Sequence, residues 1–226
     1  MQYRVRNDLS YCVVDGHAVF LDVAADRYFH LPDQLEKSFI GYATASDRSR
    51  ATVAMLIDHN ILVPEEKGCR DDPPAKIGSP LRSAYEMPTC HTGSVMLALP
   101  EVMATIWRCR RRIGTGPLRD VINETVRYRA QRCPPPAALP GLLHEQRLLQ
   151  AASLFLRSRL YAPIETRCLL DSISLSRFLA RRHFHSKIVL GVTNDPFAAH
   201  CWVQAGDIVL NDTVGNAMAH TIIKVI

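Results

Sequence analysis

The chain lacks any apolar run long enough to span a bilayer, which argues against a membrane-spanning helix. Its first residues, Met1-Gln2-Tyr3-Arg4-Val5-Arg6-Asn7-Asp8, are polar and carry no apolar signal segment, so the expected location is the cytoplasm. There is no Cys-x-x-Cys pair. The seven cysteines (Cys12, Cys69, Cys90, Cys109, Cys133, Cys168 and Cys201) are odd in number and scattered, so neither a disulfide framework nor a structural zinc site is expected. No internal repeat and no glycine-rich phosphate loop occurs, which speaks against solenoids and P-loop enzymes. The arginines are not interleaved with aromatic residues, so nucleic acid is not an expected partner.

What is present suits a folded globular protein. At 226 residues the chain accommodates one large or two small domains, and 47% hydrophobic residues supply a core. The net charge of +5 is concentrated in Arg108, Arg110, Arg111, Arg112, Arg127, Arg129, Arg132, Arg181 and Arg182. Such a run reads as a solvated helix face or as a surface for an acidic partner.

The first 65 residues differ from the rest. Ser10–Val14, Ala18–Val23 and Arg27–Leu31 read as strands, with Asp15-Gly16 and Ala24-Ala25-Asp26 as the turns between them. Helices follow over Gln34–Tyr42 and Arg48–His59. Three strands and then helices make a small winged-helix-like module over 1–65. A Pro- and Gly-rich linker is expected over 66–80, and a second domain over 81–226. In that domain, Ser94–Arg112 and Leu118–Ala130 read as helices broken by Pro100 and by Gly114–Pro117, and Leu142–Leu160 as a further helix. The fold class is therefore α+β.

Three residues in the last third stand out. Cys168 falls in the first turn of an apolar helix with Thr166 as its expected N-cap. His200 lies in a strand, Ala198–Gln204, and Asp212 follows the next one, Ile208–Asn211. With a hairpin centred on Gly206, Gln204 faces Ile208, Trp202 faces Leu210 and His200 faces Asp212. Opposed residues have Cβ atoms ~4.5–5.5 Å apart, so a carboxylate can hold one imidazole nitrogen and leave the other for a thiol. Taken singly, each residue reads as structure: a packed cysteine, a strand histidine, a turn aspartate. Together they read as a Cys-His-Asp hydrolase triad. Cys201 points to the opposite strand face from His200 and is not a rival nucleophile.

The blocks Arg167-Cys168-Leu169-Leu170, Lys187-Ile188-Val189-Leu190-Gly191-Val192, Pro196-Phe197, Ala199-His200-Cys201-Trp202-Val203 and Val209-Leu210-Asn211-Asp212 are also similar to a known family. They resemble the leader peptidases of lasso-peptide biosynthesis, the B proteins, whose catalytic domain is papain/transglutaminase-like, which implies a helical front with an antiparallel sheet behind it. The likeness covers about residues 145–212, and the order of the blocks is more specific than any one of them. Cys201 is a departure, where that family often has a small residue. The resemblance implies that Cys168, His200 and Asp212 are nucleophile, proton shuttle and orienting carboxylate.

It further implies that the front module resembles a precursor-recognition element. An extended leader would add to the third strand, where Tyr28, Phe29, His30 and Leu31 lie, with Val53 and Met55 of the second helix lining a pocket. The implied function is cleavage of the leader from a ribosomally made lasso precursor. The cut itself needs no metal and no cofactor. The implied partners are the precursor and an asparagine-synthetase-like cyclase that uses ATP to close the macrolactam. Two rival functions fit parts of the same sequence: an acyltransferase on the same fold, and a non-catalytic peptide- or DNA-binding protein.

Overall fold

Alternating apolar residues and well-formed turns build the front of the molecule. The structure, a computed structural model, describes residues 3–65, 77–87, 93–133 and 141–226. After β1 (Tyr3–Val5) come β2 (Leu9–Val14), β3 (His17–Asp22) and β4 (Arg27–His30), an antiparallel meander matching the expected strands to within a residue at most ends. Asp15 and Gly16 sit at φ 52° and 83°, the left-handed pair that a two-residue hairpin needs. Asp22 closes the next turn by accepting the N–H groups of Ala24 and Ala25, both at 3.0 Å.

Next come α1 (Asp33–Ala43) and α2 (Arg50–Asp58), then β5 (Leu62–Pro64). The second helix starts two residues later than expected because Ser49 is its N-cap, accepting from Thr52 N–H at 3.2 Å. Strand β5 pairs with β1, which closes the ends of the module onto each other. Nothing local signals that pairing, since its partners lie some 60 residues apart.

The meander is buried on both faces. Leu9, Ala18 and Phe20 pack with Leu35, Phe39 and Leu56 beneath the helices. Cys12, Val19, Leu21 and Val23 join the larger core of the rest of the chain. The front module is therefore docked by a whole sheet face.

The remainder comprises β6 (Arg82–Ser83), α3 (Val95–Thr115), α4 (Leu118–Arg132), α5 (Leu142–Arg159), α6 (Cys168–Ala180), β7 (Lys187–Thr193), β8 (Ala198–Ala205), β9 (Ile208–Val209), α7 (Val214–Met218) and β10 (Thr221–Val225). The sheet order is β10-β7-β8-β9-β6, antiparallel except for the β6–β9 pair. Helix α6 is the hub: it packs on α3, α4, α5 and β8. Leu175, Phe178 and Leu179 on it are fully buried. The fold is α+β, with the helices in front of the sheet as expected.

Pro100 does not break its helix, contrary to expectation. It lies in the second turn of α3, where it costs one backbone bond while Val102, Ile106 and Cys109 bury the helix face behind it. Residues 66–76 of the expected linker and 134–140 of the proline-rich break lie outside the described residues. The end of the linker is tied to the sheet, because Gln204 Nε2 donates to Gly78 O at 2.8 Å.

Candidate active site

Cys168 is the first residue of α6 and is exposed, while the helix behind it is buried. The N-cap position belongs to Arg167 and not to Thr166. Arg167 is extended (φ −139°, ψ 127°), so the helix begins one residue later than Thr166 would set it, and no side chain caps it. Its guanidinium turns instead to the Glu165 carboxylate at 2.8 Å. The loop before Cys168 is fixed by Arg159, which is buried at the end of α5. Arg159 donates to Ala162 O at 3.4 Å and Glu165 O at 3.0 Å, and to the Asp171 carboxylate in the first turn of α6 at 2.6 Å.

His200 sits in β8 opposite Gly191 of β7. A Cβ at Gly191 would stand 2.8 Å from both His220 Cβ and a ring carbon of Trp202, so only glycine leaves room for them. The fully buried Trp202 ring stacks 6.1 Å from the His200 ring at 20°. It both walls the site and belongs to a small core with Val189, Val209 and Ala217. Cys201 points to the other face, 3% exposed in the main core, and burial pushes its thiol up to about 12.

Asp212 reaches His200 by a route the expected hairpin did not contain. The turn is two residues, Gly206 and Asp207, so Ala205 pairs with Ile208 and Gln204 with Val209, one place off the expected register. Strand β9 ends at Val209. The Asn211 side chain then replaces the ladder, accepting Val203 N–H at 2.7 Å and donating to Ser172 Oγ at 3.0 Å. The chain bends into α7, and Asp212 Oδ2 meets His200 Nε2 at 2.5 Å. The contact is made, but by a bend rather than by cross-strand opposition.

Around the pair, Thr213 N–H donates to Asp212 Oδ1 at 2.8 Å, and Asn216 Nδ2 donates to Asp212 Oδ2 at 2.9 Å. Ser83 Oγ of β6 donates to the Asp212 carbonyl at 2.5 Å. Asn216 and Ser83 carry no sequence motif. Only the i, i+4 spacing of Asn216 from Asp212 hints at a contact across one turn.

With Nε2 held by the carboxylate, Nδ1 is left for the thiol. Interaction with the His200 imidazole holds the Cys168 thiol below its ordinary value of 9.0, against burial, and backbone N–H groups of Leu169 and Cys201 add to the effect. Interaction with Cys168, and with Asp212 behind the ring, raises the His200 imidazole above 6.5. Both shifts favour a thiolate–imidazolium pair, the reactive form of a cysteine nucleophile. The first turn of α6 also presents N–H groups without an intrahelical acceptor, the kind of donor that can hold an oxyanion. Among the described residues, no cluster of three or more His, Cys, Asp or Glu side chains could hold a metal.

The six residues expected to bind a leader are not one pocket. Tyr28 and His30 share the face of β4 turned to the rest of the chain, with ring centroids 5.7 and 6.1 Å from Phe197 in the β7–β8 turn. Phe29 stacks on Phe20 at 5.3 Å, and with Leu31 and Met55 it packs into the module's own core. Val53 lines a separate cavity of about 520 Å³ with Tyr3, Tyr42, Arg50 and Ile57. The meander separates the first group from the others.

The family model described as transglutaminase-like superfamily matches residues 103–224, more than half of the chain and the whole Cys-His-Asp constellation. The chain belongs to the transglutaminase-like superfamily. Its superfamily core thus runs from the middle of α3 into β10, with the front module outside it. The chain is also 42% identical over 45 residues to the microcin J25-processing protein McjB of Escherichia coli, a stretch that is 20% of this chain and 22% of that protein. The match therefore spans about a fifth of that relative's length. No solved structure matches this transglutaminase-like chain. Among its described residues, no helix is long and apolar enough to cross a membrane.

Proposed function

We propose that this protein is a cysteine peptidase that removes the leader from a ribosomally made lasso precursor. The carrying observation is the Cys168–His200–Asp212 constellation at the start of α6, in a chain whose sequence blocks resemble the lasso leader peptidases. The similarity to a microcin-processing protein supports the same reading.

In this mechanism the Cys168 thiolate attacks the scissile carbonyl, and the α6 N–H groups hold the oxyanion. His200 gives its proton to the leaving amine, and Asp212 stabilises the imidazolium through Nε2. The core peptide leaves with a free N-terminus. Water, activated by His200, then resolves the thioester. The cut uses no metal and no cofactor. The freed core would pass to an asparagine-synthetase-like cyclase that consumes ATP, in the cytoplasm where precursors are made.

The edge strand β4 is the proposed docking place for the leader, which would extend the β2-β3-β4 sheet. Of the proposed leader contacts, His30 is the exposed one on that strand. Incubating the precursor with wild-type and Cys168→Ala protein, followed by mass spectrometry, tests the proposal. Separate leader and core masses are expected from the wild type only. Equal cleavage by Cys168→Ala refutes the assignment.

Membership of the transglutaminase-like superfamily favours one second reading, in which an amine rather than water resolves the acyl-enzyme. Precursor cleaved in the presence of a primary amine would then carry the amine on the leader's C-terminus. Under the peptidase reading that product is minor.

A further inference from the structure

Three helices meet far from Cys168 around a cavity with unusual walls. Thr105 and Arg108 of α3, Tyr128 of α4, and Arg177 and Arg181 near the end of α6 line a space of about 320 Å³. No carboxylate among the described residues lines it. Glu124 and Glu101 stand close by, but each is already shared between two arginines: Glu124 between Arg112 and Arg177, Glu101 between Arg181 and Arg182. Arg132 stacks on the Tyr128 ring at 3.8 Å, and Arg177 lies 5.1 Å from it. Among the described residues, four guanidiniums thus share two carboxylates, with Arg108 on the cavity wall and Arg132 on the Tyr128 ring besides, and such an excess in a cleft attracts an anion.

Individual donors point the same way. Arg177 is 14% exposed, and its Nε is buried without a partner although Nη2 bonds Glu124. A buried, unpaired guanidinium nitrogen is costly and marks a place for an acceptor. Tyr128 Oη accepts from Arg181 Nε at 3.0 Å, so its own hydrogen is free to donate. Arg108 is exposed and has no acidic partner among the described residues.

Guanidinium forks converging from two helices, with a phenol from a third, offer more donors than the two oxygens of a carboxylate can take. A tetrahedral phosphoryl group has three oxygens to present to them. We infer that this cavity binds a phosphoryl group through Arg108, Arg177, Arg181 and Tyr128. The site does not use a glycine-rich loop. Its donors are side chains on helix faces, and its volume leaves room for more than a bare phosphate.

Calorimetric titration of the full chain with inorganic phosphate, pyrophosphate and acetate at constant ionic strength tests this. Saturable binding of phosphate or pyrophosphate is expected, with acetate inert. Tighter binding of pyrophosphate identifies a polyphosphate chain as the ligand, and equal binding identifies a single phosphoryl group. Arg108→Glu should weaken the apparent Kd by at least about tenfold, since a charged hydrogen bond becomes a repulsion. Arg110→Glu, an exposed change on the same helix outside the cavity, should leave it unaltered. Tyr128→Phe, which removes only the hydroxyl, should weaken it less and serves as the second probe if Arg108→Glu folds poorly. Absence of saturable binding, equal binding of acetate, or unchanged affinity in both cavity variants overturns the inference.

Discussion

At the scale of single residues, two cysteines, one exposed at the start of α6 and one buried in β8, should behave oppositely. Cys168→Ala is expected to abolish leader removal while binding the precursor as the wild type does. Cys201→Ala removes a buried thiol from the core and should lose stability, by roughly 1 kcal/mol, but keep most of its cleavage. Asp212→Asn should fold and lose much of its turnover, because an amide favours the wrong imidazole tautomer. Asn216→Ala, which removes one donor from the same carboxylate oxygen, should lose less. Cleavage rates measured beside thermal unfolding separate these effects. Near-native turnover in Asp212→Asn would show that another group orients His200.

The pH dependence follows from the same pair. The thiol sits below 9.0 because of His200, and the imidazole above 6.5 because of Cys168 and Asp212. The ion pair therefore forms as pH rises through the lowered thiol value and is lost as pH rises through the raised imidazole value. Alkylation of Cys168 by iodoacetamide should persist well to the acid side of 9.0. In His200→Ala the inflection should move upward, since burial then acts with less opposition. An unmoved inflection would mean that His200 does not set the thiol's ionisation.

Among the elements, α6 and the β7–β8 pair carry the candidate site, and each depends on one residue besides Cys168, His200 and Asp212. Arg159 joins the end of α5 to the loop before Cys168 and to Asp171. Arg159→Met would leave that carboxylate and two carbonyls without their donor. A loss of about 3 kcal/mol is expected, read in denaturant unfolding, with a larger relative loss of cleavage. Gly191→Ala would drive a methyl into Trp202 and His220, at a cost of about 1–3 kcal/mol, and tilt the ring against which His200 rests. If Gly191→Ala cleaves at the wild-type rate, the packing around His200 is looser than these distances imply.

Across the whole molecule, the front module and the transglutaminase-like part share a core through one face of β2-β3-β4. If the module recruits the leader as proposed, recruitment and cleavage take place on parts of the chain that share one core. The two faces of the module make different predictions for the leader. If the leader pairs with β4, His30→Pro should weaken binding to the Cys168→Ala chain by about tenfold or more, because the strand edge loses its regular backbone. Val53→Glu, in the cavity on the other side, should then matter little. The reverse pattern in a fluorescence titration of labelled leader would move the recognition site from the strand edge to that cavity.

The local code of the chain determined much of this protein. Alternation and Asp-Gly turn chemistry placed the meander, apolar periodicity placed α5 and α6, and the order of Cys168, His200 and Asp212 within their blocks marked the candidate site. Short-range forces set those features, so a window of a few residues contains them. What only the tertiary structure decided depends on distant partners. Strand β1 has no meaning without β5, and the sheet face of the module has none without the core it meets. The His200–Asp212 contact was legible in sequence, yet its geometry was not. Asn211 ends the ladder by bonding Val203 and Ser172, 8 and 39 residues away, and that bend, rather than strand register, brings the carboxylate to the imidazole.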